Sequence, residues 1–204
     1  MDKKWITQLA DKIKEKYGED TRNRIFGDID NIDYNCNTLP DWFENFTKGL
    51  DELNDRDFLI SYMSENCPCY YKEAEENIRK LYNEVKSLDE FVKRLDEDGI
   101  FNDNTKLRGN VLYATKQKWS YVCDKFGGKH NHNGMFSGSC HCFLASCSKE
   151  PISDILCHCC TVGNYSKMFK NALGVDVKVD FVDSVLIGGT GCTAAIHLPE
   201  IINQ

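Results

Sequence analysis

Asn171-Ala172-Leu173-Gly174-Val175-Asp176-Val177-Lys178-Val179-Asp180-Phe181 is the stretch in which the chain changes period. Before it, Met168, Phe169 and Leu173 fall on one helical face, and residues 171–174 read as a helix stop ending in glycine. After it, Val175, Val177, Val179 and Phe181 alternate with Asp176, Lys178 and Asp180, the period-two pattern of a strand with one buried face. Gly188-Gly189-Thr190-Gly191 then turns the chain back into residues 192–198, which predicts a terminal hairpin. Upstream, Pro151 opens the helix that runs to Leu173 and carries Cys157-His158-Cys159-Cys160.

Further upstream the pattern divides in two. Residues 110–123 are rich in Val, Tyr, Thr and Trp and read as strand, residues 127–134 as a Gly/Asn loop, and residues 139–145 as a short extended segment. Residues 5–95 are written in threes and fours. Trp5, Leu9, Ile13 and Tyr17 make one helical face, and Trp42, Phe46, Leu50 and Leu53 a second. Residues 58–63 and 70–85 give two more helices, the latter with Ile78, Leu81 and Val85 inside. Ser87-Leu88-Asp89-Glu90 has the spacing of a capping box ahead of residues 91–95. The expected fold class is α+β: an N-terminal helical region over residues 1–100, then a cysteine-rich unit over residues 101–204 with an antiparallel sheet and a cysteine-bearing helix, the two packed as one body.

The 204 residues carry eleven cysteines and five histidines. All the histidines and most of the cysteines lie beyond residue 120. If residues 139–143 are extended, Cys140 and Cys142 project to one face; if residues 157–160 are α-helical, Cys157 and Cys160 share another. Four such thiols could close a tetrahedral site. Zinc is the favoured ion, and an iron–sulfur cluster would use the same ligand type. Cys36, Cys123 and Cys159, taken singly, read as buried small apolar residues. Cys67-Pro68-Cys69 reads either as a reactive pair at a helix start or as ordinary helix entry, and His130 and His132 as ligands, acid–base groups or exposed loop.

A net charge of −7 and a pI near 5.3, without a Lys/Arg-rich segment, argue against a nucleic-acid groove. No stretch reaches the ~20 apolar residues of a membrane span, and Met1-Asp2-Lys3-Lys4 is not followed by an apolar run, so the chain reads as cytoplasmic, where thiols stay reduced. Gly188-Gly189-Thr190-Gly191 lacks the Lys-Ser/Thr of a phosphate loop, and neither a Gly-x-Ser-x-Gly elbow nor a His-Glu-x-x-His pair occurs.

On Leu173-Gly174, residues 175–183, Gly188 and Cys192, the C-terminal part resembles 4-vinyl-reductase-type domains, small α+β ligand binders with a structural zinc beside the pocket. It is similar as well to the L-2-amino-thiazoline-4-carboxylate hydrolase family. The resemblance implies that Cys192 is a zinc ligand and that one of residues 157–160 is another. It also marks a departure: eleven and eight positions before Cys192, where such a domain supplies Glu and Cys, stand Phe181 and Ser184. Replacement ligands would come from Cys140, Cys142 or Cys147.

The expected metal set is therefore Cys140, Cys142, Cys157, Cys160 and Cys192. The leading functional expectation is a cytoplasmic small-molecule-binding protein with a cysteine-ligated metal, its pocket between the terminal sheet and the helices. The alternatives are a thiazoline-carboxylate-type hydrolase, opening a C–N or C–S bond with a thiolate or metal-bound water, and a thiol-rich metal storage or trafficking protein. The expected partner is a small-molecule ligand or substrate, not nucleic acid or membrane, with a homodimer left open.

Overall fold

A computed structural model of the chain describes residues 3–31, 39–66, 72–97, 105–115, 153–187, 189 and 191–200. Helix α1 (Lys3–Tyr17) buries Trp5, Ile6, Leu9, Ala10 and Ile13, the stripe its sequence period requires. It stops at Gly18, whose φ of 89° only glycine adopts without strain, and α2 (Glu19–Phe26) folds back on it. The sequence period gave no sign of α2, because only Ile25 and Phe26 at its C-terminal end are buried.

Helix α3 (Leu39–Asp51) inserts Phe43, Phe46 and Leu50 into the same core, with Trp42 stacked on Phe46 at 5.1 Å between ring centroids. Helix α4 (Arg56–Glu65) is capped by Asp55, which accepts from the Phe58 amide, and it buries Leu59 and Met63. The Trp5 indole N–H donates to the Asn66 carbonyl at 2.8 Å and ties α1 to the end of α4.

Helices α5 (Lys72–Glu84) and α6 (Leu88–Glu97) belong to a second core. The capping box before α6 forms on one side as expected, the Glu90 amide donating to Ser87 Oγ at 3.2 Å. The Glu90 carboxylate reaches one residue further back and accepts from the Lys86 amide at 3.2 Å. Strands β1 (Thr105–Arg108) and β2 (Val111–Thr115) form a hairpin around Gly109, at φ 61°.

The second helical half is one continuous run in two registers: α7 (Ile155–Cys157), a π-helix (His158–Gly163) and α8 (Asn164–Leu173), which ends at Gly174 in the left-handed region as its sequence predicts. Strand β3 (Val179–Asp183) starts four residues later than the alternation beginning at Val175 suggests. Its partner β4 (Thr193–His197) pairs Ile196 with Val179, and beyond it the Leu198 amide turns to the Asn110 carbonyl, so that among the described residues Val175 has no paired strand, and it is 47% exposed. The sheet is antiparallel throughout, in the order β1-β2-β4-β3, with a register shift between Phe181 and Asp183.

The architecture is α+β, helices first and the sheet with its cysteine-bearing helix second. Two apolar clusters fill it. The first joins α1 to α4 with α7, Cys159, Leu186 and Cys192; the second joins α5, α6 and α8 to the inner face of the sheet. Phe181 packs against both. Glu75 of α5, 7% exposed, accepts from Arg79 at 2.7 Å and from the Asn171 side chain at 3.1 Å, which locks α5 to α8 through a charge that would be costly if unpaired. Among the described residues no helix is long and apolar enough to cross a membrane.

Candidate functional site

Ser184 follows the last residue of β3 and is completely buried. Its carbonyl accepts from the Gly189 amide at 2.9 Å, and its Oγ accepts from the Leu186 amide at 3.0 Å, so the serine closes the short 3-10 turn after the strand. The turn is tight enough that a Cβ on Gly189 would run into the Asp183 carboxylate. This local geometry fixes the hydroxyl in the protein interior.

Two thiols meet it there. Cys157 Sγ lies 2.8 Å from Ser184 Oγ, and Cys192 Sγ lies 3.9 Å from it. Cys157 comes from the end of α7 and Cys192 from the residue before β4, so the sulfurs arrive from elements 35 positions apart in sequence. Both are buried, at 1% and 4% exposure.

The remaining sequence-predicted ligands divide by position. Cys160 lies on the π-helix with its sulfur 3.9 Å from the Thr161 hydroxyl, and among the described residues no three of Cys, His, Asp and Glu converge on one point. The α-helical reading put Cys157 and Cys160 on one face; the wider i→i+5 winding from His158 onward carries the third following residue away from it. Cys159 packs in the first core, 3% exposed, as a small apolar residue. Cys140 and Cys142 lie outside the described residues, as do Cys36, Cys67, Cys69, Cys123, Cys147, His130 and His132.

His158 is 8% exposed and 5.1 Å from the Phe181 ring. Among the described residues its Nε2 has no hydrogen-bond partner, and it stands 3.7 Å from Asp154 Oδ2, while the Asp154 carboxylate accepts twice from the Arg56 guanidinium at 2.7 and 2.5 Å. Burial lowers the His158 pKa, opposed in part by Asp154. Burial thus favours the neutral imidazole. Arg56 and Asp154 clamp the start of α4 to the residue before α7, and the close contact of Gly163 with the Ser64 backbone holds the other end of the same interface.

Two buried soft donors suit half of a tetrahedral zinc–thiolate site. Ser184 Oγ already accepts an amide hydrogen and retains its own proton, so the donor atoms that fit an ion are the sulfurs of Cys157 and Cys192. Phe181 offers no ligand atom and packs on His158 instead. Serine at position 184 was visible in the sequence only as a departure from the pattern; what identifies it as the meeting point is tertiary geometry.

On the sheet side, Leu112, Ala114, Ala194 and Ile196 are buried in the same cluster as Met168 and Phe169, so that face is occupied by side chains. A groove between α2 and α3 is lined by Arg24, Trp42, Asn45, Lys48 and Glu52 and is bridged by an Arg24–Glu52 ion pair at 2.5 Å. It shares no lining residue with the thiol pair. Compared with family models, curated proteins and solved structures, the chain matches none.

Proposed function

We propose that this chain is a metal-binding protein in which Cys157 and Cys192 are two of the ligands of a structural zinc, and that the ion pins the π-helical segment to the terminal hairpin. The observation that carries this reading is the convergence of two buried sulfurs on one buried hydroxyl. Cys140 and Cys142 are the proposed remaining ligands, since four thiolates close a tetrahedral site. The depth of both sulfurs favours a closed structural site over a catalytic one, which must keep a coordination position open to substrate. The small-molecule role implied by the resemblance belongs to the same proposal, with the metal shaping the scaffold beside a ligand site.

Metal content decides it. Protein purified without oxygen should carry about one zinc per chain, and Cys157→Ser or Cys192→Ser should each lower metal content and thermal stability together, because ligand binding free energy is then folding free energy. Cys159→Ser is the matched control, a buried cysteine of the same core outside the pair, and should keep the ion. Wild-type metal content in both Cys157→Ser and Cys192→Ser would remove the pair from any site. Several labile ions per chain would point instead to storage, and iron with visible absorbance to a cluster.

A further inference from the structure

We infer that Ser184 is the positioning residue of the thiol pair, its hydroxyl hydrogen directed to Cys157 so that the two sulfurs are not equivalent; this rests on the metal-site reading above. A serine hydroxyl has one hydrogen to give and two lone pairs to receive with. The Leu186 amide, 3.0 Å away, takes one lone pair. With the residue completely buried, the O–H turns to the nearest acceptor, Cys157 Sγ at 2.8 Å. Cys192 Sγ, at 3.9 Å, approaches the remaining lone pair and is the donor in that contact.

The consequence appears when both thiols lose their protons to bind an ion. Each sulfur is then an acceptor, and Ser184 has one hydrogen between them, which goes to the nearer, Cys157 at 2.8 Å against 3.9 Å for Cys192. A hydrogen bond to a bound thiolate withdraws electron density from sulfur and fixes its orientation, the part that partners behind the ligands play in metal sites. Cys192 gains no such donor from Ser184. The hydroxyl therefore makes its own contribution to the site asymmetric, tying the Cys157 sulfur to the turn after β3 more closely than that of Cys192.

The test uses the full chain loaded with Co(II), whose sulfur-to-metal charge-transfer absorption reports thiolate electron density. Ser184→Ala should weaken metal affinity by roughly 10- to 100-fold, the usual effect of deleting a partner behind a ligand, and should shift the charge-transfer band to longer wavelength. Ser184→Thr keeps the hydroxyl and should restore both. Wild-type affinity and an unshifted band in Ser184→Ala would overturn the inference, as would equal losses in Ser184→Ala and Ser184→Thr, which would assign the effect to packing. If Cys157→Ser and Cys192→Ser bind Co(II) as wild type does, the metal-site reading itself fails, and the role of Ser184 falls with it.

Discussion

The two cores are built from different materials. The second, where α5, α6 and α8 cover the sheet, contains Ile78, Leu81, Phe91, Leu95, Leu112, Phe169 and Ile196 and, among the described residues, no cysteine. The first is an aromatic and aliphatic helical cluster that admits Cys157, Cys159 and Cys192 where α7, the π-helix and the β3–β4 connection enter it. Among its described residues, sheet face and helix stripes account for the second core. Cys157 and Cys192 meet where two kinds of element depart from regular register, with a π-helix on one side and a strand with a shifted register on the other. Such irregularities concentrate at sites that have to aim a side chain.

The largest effects should come from emptying the cores. Phe46→Ala in the first and Phe169→Ala in the second each remove a fully buried ring and should cost about 3–5 kcal/mol, read from denaturant midpoints. The comparison sharpens if thiols are then labelled in the presence of chelator, at denaturant concentrations that give both variants equal global stability. Phe46→Ala should expose Cys157, Cys159 and Cys192 faster, because its cavity opens into their own cluster. Equal labelling rates would mean that the two clusters behave as one.

A smaller effect is expected where α4 meets the π-helix. A Cβ at Gly163 has no room against the Ser64 carbonyl, so Gly163→Ala should force the two helices apart and lower stability by about 1–3 kcal/mol. Gly109→Ala in the β1–β2 hairpin meets no atom and should cost about 1 kcal/mol through its positive φ alone. Thermal midpoints of the pair separate steric from conformational cost.

The smallest is a pH effect at the rim of the first core. Asp55 accepts from the Lys16 ammonium at 2.6 Å and from the Tyr17 hydroxyl at 2.5 Å, and these bonds hold its carboxyl at about 2. A lowered carboxylate pKa contributes stability above the ordinary value and loses it as pH falls through the folded one. The gap between wild type and Asp55→Asn should therefore be constant above about pH 4 and close between about pH 4 and 2 in acid titrations followed by circular dichroism. A gap that widens on acidification would show that the native-state bonds of Asp55 are not those described.

Much of the fold was legible because it follows from periods. The stripes of α1, α3, α5 and α6, the glycine stop at Gly174 and the terminal antiparallel pair are local patterns, and each is present, with α3 ending before Leu53 and β3 starting later than its alternation. α2 was not legible, since a helix with two buried residues has no stripe. Nor was the π-register over His158–Gly163, since its apolar and small residues read equally well as α-helix; Gly163 at its end packs closely on the Ser64 backbone, a contact no local pattern encodes. For the site, spacing singled out Cys157 and Cys160 as a pair, while the structure joins Cys157 to Cys192 through Ser184.

By itself the sequence determined the α+β class, the positions of the main helices, the closing hairpin and a thiol-rich second half, all consequences of local periodicity and composition. The tertiary structure alone decided which sulfurs meet and what lies between them. Residues 157, 184 and 192 come together only after β3 pairs with β4 and the helical run packs behind them. A contact between elements distant in the chain is set by burial and register across the whole molecule, and no window of sequence contains that information.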